Sequence, residues 1–330
     1  MGHNKFTQLV RSLPEAGMEW HRQTLLEQTQ RNRDDYRDSA PFYDHTLRHI
    51  KPTDKPVLLV CAGPSLYRKS SLKWLYSCRD KVTLVATDGA YIRCLRNGIL
   101  PDYVLTIDPH PTRIVRWFGD PDIEQHMSGD DYFARQDLDI DFRREMLTIN
   151  AQNIRMVDAQ PTKLVICCSA PRNVVERTQS WERYWFAPLV DDPDKPGLTR
   201  QLIDMTGLPA MNTGGTVGNT AWVFAYSCLK STNIACVGMD FGYPPGTPLE
   251  KTQSWNMLKD KDGIQDYYPE MPGVDGQVWF TDPTYYWYRQ NLLDLIGNNN
   301  GQLTNCTEGG TLIGKGITCM GLEQWLKSCS

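Results

Sequence analysis

The chain has 330 residues, of which 40 % are apolar and 22 % are charged, and its formal net charge is −4. This composition is typical of a folded globular protein of one or two domains and excludes a largely disordered chain. The small negative charge argues against a nucleic-acid partner, and no apolar run is long enough to span a membrane. Because the first residues also lack the apolar core of a secretory signal, we expect a cytoplasmic protein.

Residues 1–52 are predicted to form a polar helical arm. The stretch 15–36 is helix-prone and charged, with few large apolar side chains. We interpret it as a solvated helix or as a contact between the subunits of a homo-oligomer. The composition changes at about residue 53, so residues 53–330 are predicted to form the domain that carries the chemistry.

From Val57 onward, strand-like and helix-like segments alternate. Short apolar runs predict buried strands over 57–61, 82–86, 103–107, 163–168 and 234–238. Helices are predicted over 216–229 and 285–296. This order predicts an α/β fold with a doubly wound, mostly parallel, Rossmann-like sheet and helices on both faces. The long segments 119–160 and 241–282 are expected to form a lid and a substrate pocket.

Polar residues follow the predicted strands, where parallel sheets bind their ligands. The residues at these strand ends are Gly63, Pro64, Ser65, Asp88, Asp108, His110, Ser169 and Asp240. So many carboxylates and hydroxyls at strand ends indicate a binding or catalytic site. The alternative is that each aspartate only caps the helix that follows it.

Three turns rich in small polar residues are candidates for binding a phosphate. In the first, Gly63 permits a tight turn, Pro64 suits the first position of a helix, and Ser65 offers a hydroxyl beside free N–H groups. It is neither GxGxxG nor GxxxxGK[ST], so it predicts neither a dinucleotide site nor a P-loop. Similar turns occur at 212–219 and 305–311. Together they favour a phosphate-bearing ligand, although each alone is also explained as a structural turn.

Four further features of the sequence bear on a possible site: its cysteines, its histidines, an acidic pattern and an aromatic cluster. None of the ten cysteines forms CxxC and most lie in apolar stretches, which predicts buried, reduced thiols. All six histidines lie at or before His126. Asp137 and Asp139 form a DxD pattern that can hold a divalent cation, but their charged surroundings favour a solvated loop. Six aromatic residues lie within 278–288, and we interpret them as core or subunit contacts rather than ligand contacts.

Five motifs follow one another in order: VCAGPSL, ATDGA, LRNGILPDYVLTIDP, NTGGTVGNTAWVFAYSCLKSTNIACVGMDFGY and NCTEGGTLIGKGI. From about residue 57 to 326 this set resembles the flagellin-modifying motility-associated-factor (Maf) proteins. Their shared domain is also named after the archaeal hydroxymethyl-dihydropterin pyrophosphokinase. GPSL and GMDFGY also resemble motifs of bacterial sialyltransferases.

The resemblance implies a glycosyltransferase that needs no cofactor. It would transfer a nonulosonic, sialic-acid-like sugar from a CMP-linked donor to a hydroxyl group of a protein or glycan. The residues expected to bind the nucleotide and donor are Gly63, Pro64, Ser65, Asp88, Ser169, Thr213, Gly214, Gly215, Thr216, Phe241, Tyr243, Glu308, Gly309 and Gly310. Ser169 is included because it follows a predicted strand. Tyr243 lies one residue later than the sialyltransferase tyrosine.

The chain departs from the sialyltransferases at the catalytic base. Those enzymes place a histidine well after the GxDFY strand end, and this chain has none after His126. His110, Asp108 and Asp240 are therefore the predicted catalytic residues. Two alternatives stay open. One is an ATP-dependent pyrophosphokinase acting on a pterin-like alcohol, with Mg²⁺ held by carboxylates such as Asp88. The other is a non-catalytic nucleotide-binding relative.

Overall fold

The computed structural model describes residues 2–36, 44–68, 74–76, 79–126 and 146–329. The DxD pattern of Asp137 and Asp139 lies outside these ranges. Among the described helices, none combines the length and apolar character needed to cross a lipid bilayer.

Within these ranges, ten of twelve strands form a single sheet with the order β1-β6-β5-β4-β3-β2-β8-β11-β12, and β7 pairs with β6. All of its strand pairs are parallel. The other two strands, β9 and β10, form an antiparallel hairpin. The strands are β1 Asp44–Thr46, β2 Val57–Val60, β3 Thr83–Thr87, β4 Tyr103–Thr106, β5 Lys163–Cys167, β6 Glu182–Leu189, β7 Ala210–Asn212, β8 Ile234–Val237, β9 Glu270–Pro272, β10 Val278–Phe280, β11 Leu303–Asn305 and β12 Ile317–Cys319.

Helices cover both faces of the sheet. They are α1 Gly2–Arg31, α2 Arg33–Tyr36, α3 Pro64–Arg68, α4 Asp88–Arg96, α5 Pro111–Ile114, α6 Ile123–His126, α7 Met146–Ala159, α8 Arg172–Arg177, α9 Leu198–Thr206, α10 Val217–Val223, α11 Trp255–Leu258, α12 Pro283–Asn298 and α13 Leu322–Ser328. Strand β2 shows the layering: Val57 and Leu59 belong to the core that contains α10 and α12, whereas Leu58 and Val60 belong to the core that contains α4 and α13. A strand buried on both faces explains the continuous apolar run in the sequence.

The predicted fold class is confirmed. The five predicted strands are present, each within one residue of its expected start. The predicted helix 216–229 is divided into α10 and a π-helical turn, Phe224–Cys228. The prediction missed β6, which is buried along nearly its whole length. It also missed β1, which lies inside the segment predicted as an arm and pairs with β6. The boundary at residue 52 between the predicted arm and the predicted catalytic domain stays a prediction.

Most of the described cysteines are buried free thiols, as the sequence predicted. Of the nine, six are buried and Cys319 is exposed. Burial raises the thiol pKa of Cys61 to about 12, and the charges of Asp240 and Asp88 act in the same direction. The thiol pKa of Cys94 is also raised to about 12, chiefly by burial.

The winding of the sheet reverses between β2 and β8. From β2 the chain proceeds through β3, β4, β5 and β6 toward one edge, and from β8 through β11 and β12 toward the other. Where two neighbouring parallel strands lead to crossovers in opposite directions, a crevice opens at their carboxyl ends. The fold therefore places a ligand crevice above β2 and β8.

Candidate ligand cleft at the strand ends

A cleft of about 1430 Å³ lies at this edge of the sheet. It is lined by residues that follow β2, β3, β4 and β8, and by the glycine-rich turn that leads into α10. Helices α1 and α12 also contribute lining residues. Pockets for one small ligand usually enclose roughly 300–1,000 Å³. The described cleft is larger than this range.

Asp240 ties the end of β8 to the turn after β2. Its Oδ2 accepts the Ser65 N–H at 3.2 Å, and its Oδ1 accepts the Ser65 hydroxyl. A Cβ on Gly63 would lie 2.1 Å from Asp240 Oδ2 and 2.4 Å from the carbonyl oxygen of Gly238, so only glycine fits there. Gly63 and Pro64 line the cleft, whereas the buried Ser65 gives both of its donors to Asp240. The carboxylate of Asp240 thus fixes the turn that the sequence assigned to a phosphate.

The backbone after Asp240 is held in a conformation that side chains rarely adopt. Phe241 has φ of +50°, in the left-handed region. Its carbonyl oxygen accepts hydrogen bonds from the hydroxyls of Thr281 and Thr311, both at 3.0 Å. A Cβ on Gly310 would lie 2.4 Å from the backbone of Asp240. The turn that contains Gly310 therefore packs directly against the backbone at the end of β8.

Asp88 is a buried carboxylate in the cleft wall. It lies at the end of β3, where it accepts the Thr106 hydroxyl at 2.9 Å and the Gly89 N–H at 2.7 Å. Burial raises the pKa of Asp88 to about 7, and the charge of Asp108 acts in the same direction, against these two hydrogen bonds. A carboxyl group with this pKa can exchange a proton near neutral pH. One signal for this burial was visible in the sequence, since Asp88 is the only charged residue within 82–92.

Asp108 and His110 follow β4 and differ in their access to the cleft. Asp108 lines it, and its Oδ1 accepts the main-chain N–H of His110 at 2.8 Å. The Nδ1 atom of His110 lies 3.3 Å from the hydroxyl of Thr112. His110 is not among the described residues that line the cleft. The Asp108–His110 turn is thus stabilised locally, with only its first part facing the cleft.

The glycine-rich turn before α10 packs directly on α12. Gly214 and Gly215 have φ of +56° and +86°. A Cβ on Gly215 would lie 2.9 Å from the ring of Trp287. The amide of Asn219 donates to the carbonyl oxygens of Gly214, at 2.7 Å, and Tyr288, at 2.8 Å. The two glycines let the turn approach the helix closely.

Tyr243 is fixed at the wall of the cleft. Its hydroxyl donates to Asp282 Oδ2 at 2.9 Å and accepts the Gln253 N–H at 2.7 Å. Asp282 also caps α12, because its Oδ1 accepts the Tyr285 N–H at 2.8 Å. Burial raises the pKa of Asp282. This network anchors the long segment 241–282 to the start of α12.

The structure divides the predicted site residues into two groups. Those that line the cleft are Gly63, Pro64, Asp88, Asp108, Thr213, Gly214, Gly215, Thr216, Asp240, Phe241 and Tyr243. The described residues that were predicted for the site but do not line it are Ser65, His110, Ser169, Glu308, Gly309 and Gly310. Ser169 is fully buried, with its hydroxyl 3.0 Å from the Cys167 sulfur.

Two helices contribute residues that the sequence analysis did not assign to a site. The cleft residues of α1 and α12 are Pro14, Gly17, His21, Leu25, Tyr285, Trp287, Tyr288, Asn291, Asp294, Leu295 and Asn298. Their helical spacing was visible in the sequence, but which face would meet the cleft was not. Among the described residues, those of the cleft included, no group of three or more His, Cys, Asp or Glu side chains has the arrangement of a metal site.

A parallel α/β sheet with a ligand cleft at its switch point defines a Rossmann-like class of protein. Residues 27–117 match the family model described as MptE-like, 6-hydroxymethylpterin diphosphokinase MptE-like. These residues include the first three of the five motifs, so the predicted resemblance is confirmed over this part of the chain.

The fold is also similar to that of a solved structure, the Maf glycosyltransferase from Magnetospirillum magneticum AMB-1. The TM-score is 0.59 at 17 % sequence identity, and the match covers 92 % of this chain. This chain spans 38 % of the length of that protein. Comparison with curated protein sequences gave no match.

Proposed function

We propose that the protein is a glycosyltransferase that uses a CMP-linked nonulosonic sugar as its donor and a hydroxyl group as its acceptor. One observation carries the proposal: the turn at Gly63 and Pro64 and the turn at 213–216 border one cleft at the switch point of the sheet. That arrangement lies within a fold similar to a Maf glycosyltransferase. The choice of CMP and of the nonulosonic sugar rests on the resemblance of the GPSL and GMDFGY motifs.

The donor phosphate is proposed to lie at the entry to α10. Val217 and Gly218 line the cleft and are the first residues of this helix. The N–H groups of a first helical turn have no acceptor within the helix, and they favour an anion. Thr213 and Thr216 line the cleft beside them. The leaving phosphate would therefore be stabilised by N–H groups and hydroxyls.

Asp88 is proposed as the base. It lines the cleft, and burial raises its pKa to about 7, so its carboxyl group can exchange a proton near neutral pH. In the proposed step the acceptor oxygen forms a bond to the anomeric carbon as its proton passes to Asp88. The bond between that carbon and the phosphate oxygen breaks, and CMP leaves with the electron pair. A positioned base usually contributes roughly 10²–10⁴-fold to the rate.

The donor assignment is tested by thermal unfolding with CMP in the absence of added metal. We expect CMP to raise the melting temperature, because a ligand that binds only the folded state stabilises it. Thr216→Val removes one cleft hydroxyl without changing the side-chain shape, and should reduce the effect. Thr318→Val, on the exposed strand β12, is the matched control and should leave it unchanged. If CMP gives no stabilisation, the donor proposal is wrong.

A second candidate is the Mg²⁺-dependent pyrophosphokinase, which is favoured by the match of residues 27–117 to the MptE-like family. The cleft carboxylates of Asp88 and Asp108 are the residues that would hold Mg²⁺ beside a triphosphate. Stabilisation by ATP with Mg²⁺ and not by CMP would favour this reaction. Stabilisation by a nucleotide without turnover of any donor would instead indicate a non-catalytic relative.

A further inference from the structure

Helix α12 presents one face to the cleft and packs against the rest of the protein through others, with Pro283, Leu292 and Ile296 buried. Trp287, Asn291, Asp294 and Asn298 line the cleft and recur every three or four residues, so they share one face. On a different face, Tyr286 makes an edge-to-face contact with Phe6 of α1, with ring centroids 5.2 Å apart. The cleft face of α12 is therefore held in place by packing elsewhere on the helix.

At the inner end of this face, Tyr285, Trp287 and Tyr288 all line the cleft and form an aromatic wall. All three rings are partly exposed. The Trp287 and Tyr288 rings lie 5.3 Å apart, and the Tyr285 ring stacks on Tyr243 at 5.0 Å. Because Tyr243 is hydrogen-bonded at its hydroxyl, the wall has a fixed anchor. Aromatic faces of this kind accept the apolar C–H face of a sugar ring.

The outer part of the same face is polar. Asn291 donates to the Gly214 carbonyl oxygen at 3.2 Å, and Asp294 and Asn298 are exposed at the rim of the cleft. From Trp287 to Asn298 the face is about 16 Å long, at a rise of about 1.5 Å per residue. Amide and carboxylate groups beside aromatic rings suit a ligand with many hydroxyl groups. The negative charge of Asp294 disfavours a phosphate or a carboxylate at this place.

We propose that this face of α12 is the acceptor subsite and that the acceptor is a neutral glycan rather than a polypeptide. The inference rests on the proposed function, because the acceptor must lie next to the donor. The geometry meets this condition, since Trp287 contacts the Gly215 turn that borders the proposed phosphate position. The acceptor chain would run outward from Trp287 toward Asn298, with its reacting hydroxyl at the inner end.

Ligand binding without turnover tests the proposal. The probes are neutral saccharides, namely methyl β-glucoside, methyl β-galactoside, N-acetylglucosamine and N-acetyllactosamine, and a serine-rich peptide. Binding is followed by saturation-transfer NMR and by tryptophan fluorescence. We expect at least one saccharide to bind and the peptide not to compete with it. Trp287→Ala and Tyr288→Ala should weaken saccharide binding at least tenfold, whereas Tyr76→Ala, at a tyrosine that is 71 % exposed, should not.

The stabilisation by CMP separates the two proposals. It should survive in Asp294→Asn, at the exposed outer end of the face and away from the Gly215 turn, because this end serves the acceptor. Failure of every saccharide to bind while CMP still stabilises the protein refutes the glycan subsite alone. Loss of the CMP effect in Asp294→Asn also refutes it, because this face would then bind the nucleotide. Saccharide binding without any CMP effect supports a carbohydrate platform and refutes the proposed donor.

Discussion

Replacing Asp88 with asparagine should make the protein more stable at alkaline pH and less stable at acidic pH. Burial raises the pKa of Asp88 from its ordinary 3.8 to about 7. Between these values the folded state keeps a proton that the unfolded chain has lost, so stability falls as pH rises from about 4 to about 7. About three pKa units at ~1.4 kcal/mol each correspond to about 4 kcal/mol. Because asparagine does not ionise, the variant does not lose this stability as the pH rises.

The substitution also has a cost that does not depend on pH. The Gly89 N–H and the Thr106 hydroxyl donate to different oxygens of Asp88, and asparagine replaces one of these oxygens with an NH₂ group, so one of the two hydrogen bonds is lost. Losing one hydrogen bond costs about 1 kcal/mol. The variant should therefore be about 1 kcal/mol less stable than the parent near pH 4 and about 3 kcal/mol more stable near pH 8.

Urea unfolding at a series of pH values between 4 and 9 measures the difference. The control is Asp54→Asn, at an exposed position. The free energies of unfolding of this variant and of the parent should change with pH in nearly the same way. A difference between Asp88→Asn and the parent that stays constant across this pH range would refute the reasoning, because it would mean that Asp88 titrates with an ordinary pKa. If Asp88 is also the base, the same variant loses turnover at every pH.

Three further predictions follow from close contacts and burial. Gly63→Ala should destabilise the protein by about 1–3 kcal/mol and reduce CMP binding, because the Cβ of the alanine has no room. Gly297→Ala, in α12 with open space around the residue, should instead stabilise the protein by about 0.5–1 kcal/mol. Tyr243→Phe should cost about 1–3 kcal/mol in urea unfolding, because Asp282 loses a donor while it stays buried. Iodoacetamide at pH 8 should modify Cys319 first among the described cysteines, because it is exposed whereas the buried thiols are shielded from the reagent.

Each of these has a contrary outcome. Equal stability of the two glycine variants would mean that the turn after β2 adjusts to a side chain. An unchanged unfolding midpoint for Tyr243→Phe would show that Ser254 and Tyr285, which donate their N–H groups to Asp282, suffice for that carboxylate. Mass spectrometry that finds early alkylation of Cys61 would show that the end of β2 opens in the folded state.

The central strands were predictable because both of their faces are buried. Val57–Val60 and Ile234–Val237 consist of apolar residues only, and such runs stand out in a sequence. Strand β6, Glu182–Leu189, mixes charged, aromatic and proline residues and shows no such run. The strands β11 and β12 have three residues each and depend on the neighbouring strand for their hydrogen bonds. Local patterns do not reveal an element that is stabilised by its partner.

The site was predictable where it depends on strand ends alone. Asp88, Asp108 and Asp240 all line the cleft, because parallel strands bring their carboxyl ends to one edge. The sequence did not show that Asp240 would be hydrogen-bonded to Ser65, or that Ser169 would be buried, because both depend on distances between loops. The contributions of α1 and α12 depend on how those helices pack over the sheet, which no local pattern encodes.

The pairing of β2 with β8 has a consequence for how the protein acquires its cleft. Val57 pairs with Ile234, although more than half of the chain separates them. Contacts between such distant segments form slowly, because a long loop must close before any pairing energy is gained. During synthesis, the strands β2 to β5 therefore leave the ribosome before β8 exists, with apolar edges open to other chains. The cleft cannot form before β8 pairs with β2 and Asp240 reaches the Ser65 turn.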